Sequence, residues 1–164
     1  CEISGNTADN YGGGLQIWGD ATLNSCQISN NEADEGGGLY IGYGSFFNPA
    51  TLQHCDISGN TATNGGGLYI GNSGSATLEY CEISSNSAGS GEGLFISGYT
   101  VLTCCTVEGS VYVDNVGNYE EHDCPSPPPA PPTSTPPRPP PALPPPTLPP
   151  PTLPPPTLPP PTLP

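Results

Sequence analysis

Seven cysteines, at positions 1, 26, 55, 81, 104, 105 and 124, are the residues of this 164-residue chain whose type and spacing best suit covalent chemistry. Five of them keep a near-constant stride: Cys1, Cys26, Cys55, Cys81 and Cys105 lie 25, 29, 26 and 24 residues apart. Such a stride is a structural repeat, unlike the Cys-x-x-Cys of a zinc site, and His54 and His122 cluster with none of them. Two chemistries are open to the set: disulfides, or a column of buried thiols behaving as small apolar side chains. The carboxylates offer less. Acid–base hydrolysis needs clustered acids at a set separation. Asp34-Glu35 is a single adjacent pair whose side chains point to opposite sides if extended, and residues 1–124 hold no Arg or Lys to act as a base.

Charge removes further classes. Fifteen acidic residues face one basic residue (Arg138) and two histidines, a formal charge of -14. A surface so acidic repels phosphate, which argues against nucleic acid as a partner and against docking on anionic membranes. No apolar run approaches the length of a membrane span, and no charged-then-apolar start resembles a signal peptide. The chain opens in mid-motif at Cys1 and is read as an excerpt of a mature protein.

The elements that would position the cysteines follow from self-comparison. Four copies align, the first being Cys1-Glu-Ile-Ser-Gly-Asn6-Thr-Ala8 followed by Gly12-Gly-Gly-Leu15-Gln-Ile17. The others run from Cys26 through Asn31 to Gly36-Gly-Gly-Leu39, from Cys55 through Asn60 to Gly65-Gly-Gly-Leu68, and from Cys81 through Asn86 to Gly91-Glu-Gly-Leu94. Ala-Thr-Leu recurs at residues 21–23, 50–52 and 76–78, with Thr100-Val-Leu102 as an echo. Within a copy Cys to Leu spans 13 or 14 residues, whereas the stretch to the next Ala-Thr-Leu varies between 8 and 13. Each unit thus has a rigid half and one loop that tolerates insertion.

Cys-x-Ile and Leu-x-Ile are short half-buried strands, and the Gly triplets and Asn-rich links are corners. Strands too short for hairpins, repeating at this interval, pair from coil to coil. The expected fold is all-β: a right-handed parallel β-helix of about four coils plus a C-terminal cap, with about 4.8 Å of rise per coil. Cys, Ile and Leu would point inward in ladders, and Asn6, Asn31, Asn60 and Asn86 would stack inward at a bend, bonding corner backbone. Neighbouring ladder cysteines would have Cα atoms about 5 Å apart, within disulfide range, so Cys1, Cys26, Cys55 and Cys81 are disulfide candidates. Cys104 must face away from Cys105 and could close Val111–Asp123 as a cap by pairing with Cys124. The residues after the ladder cysteines (Glu2, Gln27, Asp56, Glu82, Thr106) form an outward column. It reads as a solvated face; no cofactor is required, calcium being the one ion such stacked carboxylates could share. Gln16, Tyr40, Tyr69 and Phe95 form an outward stripe beside Trp18, giving Tyr40, Tyr69, Phe95 and Trp18 as candidates for an assembly interface or as ordinary cross-strand stacking.

The Gly-Gly-x-[Leu/Ile] and Asn-x-Ala pattern over residues 1 to about 108 resembles the repeats of polymorphic outer-membrane proteins and related pectate-lyase-like adhesins, with Cys where those commonly place an aromatic. The resemblance implies a secreted or surface scaffold. Lyases of this fold use calcium-binding carboxylates with an Arg or Lys base, which residues 1–124 lack, so no enzymatic activity is expected.

At Cys124-Pro125 the composition changes abruptly: residues 125–164 contain 24 of the 25 prolines. Residues 1–124 are therefore read as the repeat domain and 125–164 as a Pro-rich tail. Proline fixes φ and removes donors, so the expectation is an extended polyproline II rod of roughly 120 Å. Thr-Leu-Pro-Pro-Pro recurs with Thr147, Thr152, Thr157 and Thr162 in register, and five residues rotate the rod so that successive threonines step by a third of a turn. This tail resembles the hydroxyproline-rich glycoproteins of algal and plant walls, the extensins and pherophorins. The resemblance implies O-glycans on Thr147, Thr152, Thr157, Thr162, Ser126, Thr133 and Thr135. It implies hydroxylation at Pro144, Pro145, Pro146, Pro149, Pro150, Pro151, Pro154, Pro155, Pro156, Pro159, Pro160 and Pro161. An unmodified spacer or a ligand for SH3-like domains is the plainer alternative.

The combination is similar to algal mastigoneme-type and glycofibril proteins. It leads to the expectation of a structural, homo-polymeric subunit of an extracellular glycan-coated fibre, at a cell surface, cell wall or flagellar appendage. The alternative is a wall-anchored adhesin or carbohydrate-binding module on a stiff Pro-rich stalk.

Overall fold

The computed structural model describes residues 1–43 and 49–124. The Pro-rich segment expected to be a polyproline II rod lies outside the described residues. Within them every regular element is a short strand, and the chain winds as a parallel β-solenoid. The first turn carries β1 (Glu2–Ser4), β2 (Leu15–Trp18) and β3 (Thr22–Asn24). The second adds a fourth side: β4 (Gln27–Ser29), β5 (Glu32–Glu35), β6 (Leu39–Tyr43) and β7 (Ala50–Gln53). The third repeats it as β8 (Asp56–Ser58), β9 (Thr61–Asn64), β10 (Leu68–Ser73) and β11 (Ser75–Glu79). The fourth does so as β12 (Glu82–Ser84), β13 (Ser87–Ser90), β14 (Leu94–Ile96) and β15 (Tyr99–Thr103).

The segment expected to cap the end instead continues the winding. β16 (Thr106–Val107), β17 (Val111–Val113) and β18 (Asn118–His122) extend three of the sheets by one strand each. Their register is that of the repeat, with Leu94 beside Val111, Ile96 beside Val113 and Leu102 beside Glu121. Val-Tyr-Val alternates as Leu-Phe-Ile does, so it fits the same pleat although no Cys–Asn–Gly motif announces it.

Each position of the repeat stacks on its equivalent. Ile3, Ile28, Ile57 and Ile83 are consecutive partners, as are Leu15, Leu39, Leu68 and Leu94. Ile28, Ile57, Ile83, Leu39, Leu68, Leu94, Leu52 and Leu78 are wholly buried, each such side chain contributing about 1.5–3 kcal/mol by leaving water. Thr100 occupies the position of Ala50 and Ala76 in this core, and its hydroxyl has no hydrogen-bond partner.

Corners explain the glycines. Gly12, Gly36, Gly65 and Gly91 open each triplet with φ of 62–68°, the left-handed region that favours glycine. A Cβ on Gly67 would lie 2.6 Å from the carbonyl oxygen of Gly93 and 2.9 Å from Asn86 Nδ2, so the third position of the triplet is small because the next coil and the Asn stack press on it. Asn31 donates its backbone amide and its side-chain amide to Asn60 Oδ1, at 2.9 and 3.0 Å, and Asn60 does the same to Asn86. The same Nδ2 groups reach back to the carbonyls of Ile3 and Ile28. Polar groups in a dry interior are thereby paired.

Candidate functional site

Three features of the solenoid could carry function: the cysteine column, the aromatic stripe and the last turn.

The five ladder cysteines each precede a strand of one sheet, and the first four accept the same bond from the turn above. Cys1, Cys26, Cys55 and Cys81 carbonyls receive the amides of Gln27, Asp56, Glu82 and Thr106 at 2.8–2.9 Å. Cys1 and Cys26 form a disulfide, their Cα atoms 4.5 Å apart. Cys55 and Cys81, read from sequence as disulfide candidates, are buried free thiols, and Cys105 is a partly exposed one. All three donate to the carbonyl two residues back and to a leucine carbonyl one turn below: Leu23 for Cys55, Leu52 for Cys81 and Leu78 for Cys105. The thiol column is thus held within the coil-to-coil hydrogen bonding. Cys81, flanked by sulfur on both sides, is pushed up, while its hydrogen bonds pull Cys55 to about 6 and Cys105 to about 7.

Cys104 stands outside the column. Its φ of 54° turns it away from Cys105, in a corner shared by Ser25, His54 and Tyr80, and it forms the second disulfide, with Cys124. That bond ties the end of β18 to the end of β15.

Aromatic side chains stack along the outside of β6, β10, β14 and β17. Tyr40–Tyr69, Tyr69–Phe95 and Phe95–Tyr112 have centroids 5.3, 4.7 and 4.7 Å apart with nearly parallel planes. Tyr11 closes the N-terminal end, 4.6 Å from Tyr40, because Gln16 holds the register position there without a ring. Tyr40 is only 8% exposed, and the stripe is a self-covered stack whose ring faces are taken up by one another, the cross-strand stacking that was one of its two readings from the sequence. Burial, and then the Glu35 carboxylate, push the Tyr40 hydroxyl up to about 12. Trp18 differs: its ring lies 5.9 Å from Tyr40 yet stays 63% exposed, and its register partner Tyr43 is 61% exposed.

The outward column Glu2, Gln27, Asp56, Glu82 and Thr106 is in register. Among the described residues no three His, Cys, Asp or Glu side chains converge in an arrangement that would hold a metal ion. Asp34 and Glu35 lie on β5, Asp34 exposed and Glu35 half-buried. Burial first, and Asp34 second, raise Glu35. The shallow groove on that side is lined by Thr7, Asp9, Glu32, Asp34, Thr61 and Thr63 with alanines beneath, a polar concavity without a basic group.

The last turn was missed as a surface by sequence reasoning. Tyr112, Val113, Val116 and Tyr119 are all exposed there, and among the described residues β16, β17 and β18 each have a strand on one side only. The period-2 pattern of Val111-Tyr-Val113 was the available signal. The O-glycosylation candidates Ser126, Thr133, Thr135, Thr147, Thr152, Thr157 and Thr162, and the hydroxyproline candidates of 144–161, lie outside the described residues. No helix of the structure is long and apolar enough to cross a membrane.

Neither a curated protein nor a solved structure matches the chain. A family pattern does, the right handed beta helix region, over residues 1–118. With the parallel sheets, the in-register ladders and the Asn stack, that match means the chain belongs to the right-handed β-helix family.

Proposed function

We propose that this chain is a structural subunit of an extracellular, glycan-coated fibre, in which the β-helix is the assembly module and the Pro-rich segment carries the glycans. The observation that supports the reading is the last turn: among the described residues β16, β17 and β18 each pair on one side only, and they are set among exposed Tyr112, Val113, Val116 and Tyr119. A sheet edge of this kind is a template for another strand, and folds that leave one open normally blunt or cover it. Here a further coil from a second copy covers it, which makes growth along the solenoid axis the natural mode of association. Two disulfides accord with an oxidising compartment. The reading is non-catalytic; the groove over β5 and β9 is lined by carboxylates, threonines and alanines with no Arg, Lys or His.

Glycopeptide mass spectrometry across Thr147–Thr162 of protein from its native source tests the coat. Sugar masses on threonine and hydroxyproline, with hydroxylated prolines between the threonines, are expected. Unmodified peptides throughout would overturn it.

A second reading, the stalked adhesin, is favoured by one observation: Trp18 and Tyr43 are register partners and both exposed by more than half. Such a pair offers ring faces to a sugar, which the covered stack does not. Saturable glycan binding by single particles, lost in Trp18→Ala, would favour that reading over the fibre.

A further inference from the structure

The cysteine column holds one disulfide and three thiols in a single file, and neither the assembly role nor the glycan coat uses them. The file is regular. The same carbonyl-to-amide hydrogen bond, 2.8–2.9 Å long, links every pair of consecutive turns at the cysteine, and at the bonded step the Cα atoms of Cys1 and Cys26 are 4.5 Å apart. That spacing is within the range a disulfide bridges without backbone movement. The thiols of Cys55, Cys81 and Cys105 share one orientation, because each meets the carbonyl two residues back and the leucine carbonyl of the turn below. Exchange needs a thiolate to attack a disulfide sulfur, and in this file each thiol's ladder neighbour lies one coil away. Cys105, at the far end of the file, is partly exposed, while Cys55 and Cys81 are buried.

We propose that the column is an internal disulfide relay, in which the disulfide moves one coil at a time by thiol–disulfide exchange between the Cys1 end and the Cys105 end. In the first step Cys55 gives up its proton and its sulfur bonds to Cys26 Sγ. The Cys1–Cys26 bond breaks, and Cys1 leaves as a thiolate that takes up a proton. Cys81 then attacks Cys55 and frees Cys26; Cys105 attacks Cys81 and frees Cys55. Each step forms one S–S bond and breaks one, so the number of disulfides and thiols is unchanged and no oxidant or reductant enters. The relay carries the disulfide over about four coils, roughly 19 Å, to the partly exposed Cys105, at which a small-molecule thiol or disulfide can act. Cys104–Cys124 stays outside it, since Cys104 faces away from the file.

The test maps disulfides in the full-length, unreduced protein over time at mildly alkaline pH. Samples are quenched in acid, alkylated with N-ethylmaleimide and digested with pepsin without reduction, and linked peptides are read by mass spectrometry. The relay predicts that Cys1 becomes alkylated while Cys26–Cys55, Cys55–Cys81 and Cys81–Cys105 links appear, at a rate independent of protein concentration. Cys55→Ser is expected to abolish all three links and to leave Cys1 unlabelled. Cys81→Ser is expected to keep Cys26–Cys55 and lose the other two, which serves if the first variant does not fold. Cys1–Cys26 as the sole pairing in the file at every time, or Cys1 labelling in Cys55→Ser at the wild-type rate, would overturn the relay.

Discussion

Asn60 Oδ1 accepts two hydrogen bonds from Asn31 one turn away, from the backbone amide at 2.9 Å and from Nδ2 at 3.0 Å, while its own Nδ2 donates to the Ile28 carbonyl at 3.0 Å. Asn60 is fully buried, so each of these partners would be left dry without it. Asn60→Ala is therefore expected to lower stability by about 3 kcal/mol, the cost of orphaning buried donors and an acceptor. Urea unfolding followed by far-ultraviolet circular dichroism measures it, and a loss well under about 1 kcal/mol would contradict the role assigned to the stack.

Gly5 and Gly67 separate two reasons for glycine. Gly5 has a φ of 66° but open space where a Cβ would go, whereas at Gly67 a Cβ would lie 2.6 Å from a backbone oxygen of the next turn. Gly5→Ala should cost about 1–2 kcal/mol from backbone strain alone. Gly67→Ala should cost about 3 kcal/mol, because main chain has to shift. Equal losses in thermal unfolding would refute the close packing of triplet against Asn stack.

Thr100 is the one core position expected to improve. It is fully buried, its hydroxyl is unpaired, and its stacking partners in the earlier turns are Ala76 and Ala50. Thr100→Val keeps the volume and removes the orphan, and should raise stability by about 1 kcal/mol. A decrease in the denaturation midpoint would show that the hydroxyl has a partner in solution.

Asp114 fastens the last turn. The Ser97 hydroxyl and the amides of Val116 and Gly117 hold its carboxyl below the usual carboxylate range. The folded value lies below the unfolded one, so this contribution is complete at neutral pH and is lost as pH falls through the folded value. Protection of the β17 amides from hydrogen exchange, corrected for the intrinsic pH dependence of exchange, should fall on acidification in the native protein. In Asp114→Asn protection should already be lower at neutral pH and respond less to acid. An unchanged exchange rate in the variant would contradict the tether.

The repeat was legible because its chemistry is local. Cys, Asn, the Gly triplet and Leu-x-Ile recur at fixed offsets, and each maps to one corner or one inward position, so register follows directly from alignment. What escaped notice lies where identical spacing leaves a choice or where the motif lapses. Five equally spaced cysteines admit several pairings, and spacing could not single out Cys1–Cys26 as the bonded step. Tyr11 sits outside the strand register and covers Tyr40 only because Gln16 carries no ring. Glu92 breaks the Gly triplet of the fourth turn where the reduced fifth turn brings Gly109 and Ser110 against it, the Ser110 hydroxyl accepting the Glu92 amide at 2.9 Å. For the aromatic stripe the outward direction was legible, and assembly face and cross-strand stack stayed open together because ring contacts depend on side-chain packing.

The central claim is that copies of this β-helix associate end to end into a glycan-bearing fibre. Cryo-electron microscopy of the native, unreduced protein from its source tests it most directly. The account predicts regular filaments in which successive solenoids continue from the β16–β18 edge, with additional density radiating from the Pro-rich segment. Discrete single particles whose last turn is free and whose Pro-rich segment carries no sugar would contradict it.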